Sequence, residues 1–194
     1  RYLLQNEYRQ MTKNSFTIAD FSIVNGHDSD TLDKGGSRSH LFTNTLVDLS
    51  LDNFNKSLLK IKYQKVSNDN YLKLFNLKSP LLLEDNSVLE SGIEFDLEHE
   101  SYDLTTSFEI YETLKGSNSD RYQYVLPSYN FSKNFNWNKT AGSFNFNSHG
   151  NNTLNDTNVL TSSISNDLSY STLNNVFDNG LKTNFEVFFK NINT

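Results

Sequence analysis

"SGIEFDLEHE" (residues 91–100) alternates hydrocarbon and acid. Ile93, Phe95 and Leu97 fall on one side of an extended chain, and Glu94, Asp96, Glu98 and Glu100 on the other. Successive side chains of a β-strand point to opposite faces, so this spacing is the period-2 signature of a strand with two unlike environments. The rhythm recurs. "LLKIKYQKV" (58–66) sets Leu59, Ile61 and Tyr63 against Lys60, Lys62 and Gln64, and "SFEIY" (107–111) sets Phe108 and Ile110 against Ser107, Glu109 and Tyr111. "LKTNFEVFFK" (181–190) does the same, with only Phe188 out of step. In "NSFTIADFSIV" (14–24) the apolar parity shifts from Phe16 and Ile18 to Ala19, Phe21 and Ile23, which reads as a bulge or a misplaced boundary.

Reading outward gives ten strands, at about 1–12, 15–25, 38–51, 56–67, 89–101, 103–115, 121–132, 140–148, 159–171 and 181–192. Helical periodicity is missing, and with 2 Pro and 8 Gly the punctuation falls to Asn, Asp and Ser. Globular strands average roughly 5–6 residues. Strands that cross a bilayer at a tilt need roughly 9–11, and these match. The first connections alternate: short near Lys13, at 52–55 and at 101–103, long at 26–37 and 67–88. Short turns on one side and long loops on the other are the habit of outer-membrane barrels. The later connections, at 132–140 and 171–180, blur the pattern.

Composition narrows the class. The hydrophobic fraction is 36%, but 13% of residues are aromatic, including 15 Phe and 10 Tyr. Disordered chains are poor in aromatics, so these are structural. The net charge of −6 excludes the basic footprint of a nucleic-acid binder. There is no Cys, hence no disulfide framework or thiolate metal site, and the four His (His27, His40, His99, His149) lack a metal-binding spacing. No cofactor or metal is expected. No run approaches the roughly 20 apolar residues of a membrane helix.

Alternation alone does not choose between a soluble sandwich, whose apolar face is a core, and a barrel, whose apolar face meets lipid. Strand length, alternating loops and charges of opposite sign on neighbouring strands favour the barrel. Lys60 and Lys62 lie on one strand and Glu94, Asp96 and Glu98 on the next. Such cross-strand pairs stabilise by roughly 0.2–1 kcal/mol each.

Three stretches carry a resemblance. The opening "RYLLQNEYRQM" presents Arg1, Gln5, Glu7, Tyr8 and Arg9. "KYQKVSNDNYLKLFNL" (62–77) presents Val66, Ser67, Asp69 and Tyr71. "DRYQYVLPSYNFS" (120–132) presents Tyr122, Leu126, Pro127, Tyr129 and Phe131. In order and spacing, over about residues 1–132, these resemble the barrel domain of the LptD family, which assembles lipopolysaccharide at the outer membrane of Gram-negative bacteria. The pattern keeps a strand through Pro127 with a local bend, although Pro cannot donate to the ladder. The resemblance implies an all-β, antiparallel up-and-down meander of about ten long strands, forming part of a larger transmembrane barrel. Residues 1–194 would be one segment of it, with a periplasmic domain and gate strands outside the segment. It implies as partners lipopolysaccharide, an LptE-like plug lipoprotein, outer-membrane lipid and a periplasmic Lpt bridge reached through that other domain.

On this reading Lys60, Lys62, Gln64, Glu94, Asp96, Glu98 and Glu109 line a hydrated lumen, and Leu59, Ile61, Tyr63, Ile93, Phe95, Leu97, Phe108 and Ile110 face lipid. Tyr residues and the single Trp137 near strand ends suit interfacial girdles. No Gly-rich phosphate loop, nucleophile elbow or Ser-His-Asp arrangement can be placed, and a row of acids along one strand is not a glycosidase pair across a cleft. No enzyme is expected. The alternatives are another outer-membrane barrel, such as a porin or TonB-dependent transporter, or a soluble carbohydrate-binding or adhesive β-sandwich.

Overall fold

The computed structural model describes residues 2–27, 36–82, 87–115, 121–136, 142–155, 159–173 and 175–194. Its elements are β1 (Tyr2–Met11), β2 (Ser15–His27), β3 (Gly36–Asp48), β4 (Phe54–Val66), one helical turn α1 (Tyr71–Leu74), β5 (Val88–His99), β6 (Tyr102–Thr113), β7 (Tyr122–Asn136), β8 (Gly142–Asn155), β9 (Val159–Thr172), a two-residue pair β10 (Asn175–Val176) and β11 (Lys182–Thr183), and β12 (Glu186–Asn193). Ten of these form a single sheet in the order β1-β2-β3-β4-β5-β6-β7-β8-β9-β12. Every neighbour is antiparallel, so the chain is an all-β meander. The sheet is open, with β1 and β12 as its edges.

Several boundaries move. The expected strand 140–148 runs on to Asn155, because β8 pairs residue by residue with β9 through "GNNTLN" (150–155), a stretch with little hydrophobic signal. The expected strand 181–192 begins only at Glu186, and the residues before it form the small β10–β11 hairpin. The expected strand 38–51 stops at Asp48, where Ser50 (φ 48°) and Asn53 (φ 70°) turn the chain. Asn tolerates this left-handed conformation because its short side chain bonds locally. β7 does continue through Pro127, and its register slips there against both neighbours, between Val125 and Ser128 toward β8 and between Ser107 and Glu109 toward β6. Trp137 lies outside the described residues.

The expected irregularity in β2 is absent. Pairing runs unbroken from Ser15 to Val24, and the register shift comes later, between Val24 and His27. Phe16 and Ile18 therefore point to one face, and Ala19, Phe21 and Ile23 to the other. Hydrocarbon appears on both faces because the segment after β4 folds back over β2 and β3. Residues 67–82 bring Tyr71, Leu72, Leu77 and Leu81 onto Val24, Phe42, Val66, Leu89 and Leu114, with Ile18 and Phe75 packed against them. This is the buried core among the described residues, and its Val24, Phe42 and Val66 lie on the face that also carries the charges. Among the described residues, no helix is long and apolar enough to cross a membrane, which says nothing of strands.

Candidate functional site

Directly paired residues in a sheet share a face, so the register assigns the two faces across all ten strands. On one, Lys60 pairs with Glu94, Lys62 with Gly92, Gly92 with Glu109, Asp96 with Thr105 and Glu98 with Asp103. Gln64 joins them through Phe42. The seven residues expected on the polar side, Lys60, Lys62, Gln64, Glu94, Asp96, Glu98 and Glu109, therefore lie on one face. The eight expected on the apolar side lie on the other: Leu59 faces Phe95, Ile61 faces Ile93, Ile93 faces Phe108, Leu97 faces Leu104, and Tyr63 and Ile110 follow by alternation. The apolar face continues through Tyr129, Phe131, Phe144, Phe146, Leu168, Tyr170 and Phe189.

The charges of the polar face form cross-strand pairs. Lys60 Nζ lies 3.5 Å from Glu94 Oε2 and Lys56 Nζ 2.5 Å from Asp96 Oδ2. Lys62 reaches not along 94–98 but back to Glu90, one pair further toward the loops. Gly92 stands opposite Lys62 because there is no room for a side chain: a Cβ there would lie 2.6 Å from the Phe108 carbonyl oxygen. A strand Gly commonly marks such an approach. Toward β7, β8 and β9 the face becomes almost uncharged, with Ser128, Asn130, Ser132, Asn145, Asn147, Ser163 and Ser165 in register.

Gln64 departs from the expectation of a lumen-lining group. It is buried, its Nε2 donates to the Leu81 carbonyl at 2.6 Å, and its Oε1 accepts the Glu90 N–H at 2.8 Å. It fastens the folded-back segment rather than meeting solvent. That segment has other anchors. Ser67 exchanges hydrogen bonds with Ser39, the Ser39 N–H donating to Ser67 Oγ and the Ser67 N–H to the Ser39 carbonyl. Asp69 accepts both Arg121 Nη groups, at 2.9 and 3.3 Å, and Arg121 Nη2 also donates to Glu112 at 2.6 Å. Glu112 in turn accepts from Lys65 and Tyr122. The hydrogen bonds that Arg121 donates to Asp69, foremost, hold its guanidinium above its already high range. Gln5 Nε2 donates to the Lys78 carbonyl at 3.0 Å.

Tyr71 is fully buried, and its hydroxyl lies 2.7 Å from Ser22 Oγ. Burial pushes that hydroxyl above the ordinary tyrosine range, and the Ser22 hydrogen bond partly opposes the shift. Ser22 Oγ is also 2.6 Å from His40 Nδ1, and His40 Nε2 is 3.3 Å from Asp20 Oδ1. The structure thus gathers an Asp, a His and a Ser that the linear sequence did not reveal, because they sit on adjacent strands, 18 residues apart for Ser22 and His40. Their order suggests a nucleophile relay, but Ser22 is 2% exposed and the Tyr71 hydroxyl occupies the approach to its oxygen. The arrangement acts as a buried polar fastening under the segment.

Gln5, from the opening stretch, thus reaches the segment that contains Ser67, Asp69 and Tyr71. Neither a protein-family model nor a curated protein sequence matches the chain.

Proposed function

We propose that the chain forms part of an outer-membrane β-barrel of a Gram-negative envelope, its apolar face in lipid and its polar face lining a hydrated path. The observation that carries this reading is the bare apolar face. Ile61, Tyr63, Ile93, Phe108 and Ile110 are each about 38–46% exposed in a single sheet, with no second sheet over them among the described residues. A soluble sandwich would bury that face under a partner sheet. In water a continuous apolar patch of this extent is a liability, whereas in a bilayer it is the required surface. Strands of 10 to 15 residues in β1 to β9 suit the thickness of the hydrocarbon.

Within this reading the specific task we assign is lipopolysaccharide assembly. The molecule would pass along the polar path and leave sideways to the outer leaflet, with an LptE-like lipoprotein in the lumen and a periplasmic Lpt bridge delivering it through another domain. Support comes from the three motif stretches and from the tie of Gln5 to the segment that contains Ser67, Asp69 and Tyr71. The uncharged Asn and Ser field of β7 to β9 suits saccharide hydroxyls, and Lys60 and Lys62 suit phosphate groups.

One observation favours a second reading. A segment folded over the polar face is what narrows a diffusion pore, so a porin-like channel is the alternative. Refolding into vesicles that contain lipopolysaccharide, with a photo-crosslinking side chain at Asn130 on the polar face or at Phe95 on the apolar face, tests both. The lipopolysaccharide reading expects Asn130 to capture its saccharide and Phe95 to capture acyl chains. A pore that conducts ions but gives no saccharide adduct would replace it with the channel. Monomeric β-structure in plain buffer would remove the membrane altogether.

A further inference from the structure

We propose that residues 67–82 form a strap that lifts from and closes on the polar face as a unit, pivoting at Ser67 and uncovering a polar lane of Asp20, Ser22, His40 and Gln64. The strap holds its own shape. The Leu74 N–H donates to the Asn70 carbonyl and the Leu77 N–H to the Leu72 carbonyl, and Asn76 (φ 49°) ends the helical turn in the left-handed region. The sheet beneath it is complete without it: the β2–β3 ladder is continuous from Ser15 to Val24, and the β3–β4 ladder from His40 to Asp48. Lifting the strap breaks no ladder bond between them.

The surface it covers is an unusual floor for a permanent core. Asp20, Ser22, His40 and Gln64 are all buried there. Among the described residues, Asp20 receives long contacts from Gln5 Nε2, at 3.4 and 3.5 Å, and lies 3.3 Å from His40 Nε2, which has no aligned hydrogen bond. Burying a carboxylate and the Nε2 edge of an imidazole without an aligned hydrogen bond between them is unfavourable, and water would satisfy both once the strap lifts. Apolar contact by Tyr71, Leu72, Leu77 and Leu81 favours the closed form, and desolvation of the lane opposes it. Separable polar ties hold it besides: Asn68 to Arg38, Asp69 to Arg121, Tyr71 to Ser22, Lys78 to Gln5 and Leu81 to Gln64. A segment that keeps its own shape and is tied down by discrete latches has the elements of a gate.

The strap is a feature of the polar face whether the other face meets lipid or not. Amide hydrogen exchange on the folded chain, together with acylation of the peptide carrying His40 by diethylpyrocarbonate, tests it. In the unmodified chain, amides of 70–78 exchange faster than those of β3 and β4. Tyr71→Phe and Asp69→Asn each remove one latch, and loss of one hydrogen bond raises strap exchange about five-fold. His40 acylation rises with it, while β3 and β4 stay unchanged. Strap amides that exchange only in step with β3 and β4, in the unmodified chain or in the variants, would show one inseparable core and overturn the proposal. His40 reactivity that ignores the latch variants would overturn it equally.

Discussion

Replacing Ile93 by Arg asks a single question of the apolar face. Ile93 sits near the middle of β5, between Ile61 on β4 and Phe108 on β6. It is 42% exposed, with hydrocarbon on either side. Glu90, Glu94 and Glu109 all belong to the opposite face, so an Arg at position 93 has no nearby acid on its own side. In water a half-exposed Ile tolerates Arg with a change within about 0.5 kcal/mol. At a bilayer midplane the same guanidinium costs roughly 2–4 kcal/mol. The two environments therefore differ by a margin that equilibrium unfolding in urea, from lipid vesicles, resolves. Glu94→Gln serves as the control. Its partner Lys60 is 3.5 Å away and both side chains are over a third exposed, so the loss stays below about 1 kcal/mol. Phe95→Arg repeats the test at the next apolar position. Ile93→Arg and Phe95→Arg losses no larger than that of Glu94→Gln would refute the lipid assignment of this face.

Three further outcomes follow from local geometry. Arg121→Ala strips Asp69 of its partner and leaves the mostly buried Glu112 to Lys65 and Tyr122, lowering stability by about 2 kcal/mol in the same unfolding assay. Gly92→Ala drives a Cβ against the Phe108 carbonyl, which belongs to the ladder and cannot turn aside, at about 1–3 kcal/mol; an unchanged midpoint would show that β5 and β6 are not so close. The raised pKa of buried Tyr71 predicts alkaline release of the strap. Docked and released forms are both protonated below about pH 10, the free value; above it the released phenol ionises first, so docking weakens as pH rises toward the docked value. Strap exchange, corrected for intrinsic rates, should climb above about pH 10 in the unmodified chain and stay flat in Tyr71→Phe.

Period-2 alternation makes the two faces legible from the sequence alone, because the face of a strand residue is fixed by parity once the register holds. Ile93 against Glu94 and Ile61 against Lys62 needed nothing else. What stayed hidden depends on contacts remote in sequence. The parity change at Phe16 and Ile18 looked like a bulge because nothing local shows that residues 67–82 will cover the polar side of β2. Gln64 fitted the alternating pattern, and only the arrival of the Leu81 carbonyl makes it a fastening. Asp20, Ser22 and His40 gave no motif, since cross-strand neighbours carry no fixed spacing. The second half of β8 is held by its ladder to β9 rather than by hydrophobic periodicity, so Asn-rich "GNNTLN" lies beyond the end of the expected strand 140–148.

The edges complete the argument for the proposed environment. β1 and β12 each present a row of backbone donors and acceptors along an edge of the sheet. In hydrocarbon an unpaired peptide group costs several kcal/mol, so a sheet that enters a bilayer must have both edges paired. Ten strands that alternate in direction leave the first and tenth antiparallel. β1 and β12 can therefore meet each other directly, or meet through an even number of further strands, without any parallel pair. Both edges present apolar side chains for that junction, Leu4 and Tyr8 on β1 and Val187 and Phe189 on β12, all on the apolar face and all largely exposed. A cysteine pair placed on the two edges, in a chain that has no other cysteine, separates the possibilities. Rapid disulfide formation within one molecule in vesicles means direct closure of ten strands. Its absence in a stably inserted chain means that strands from elsewhere stand between them.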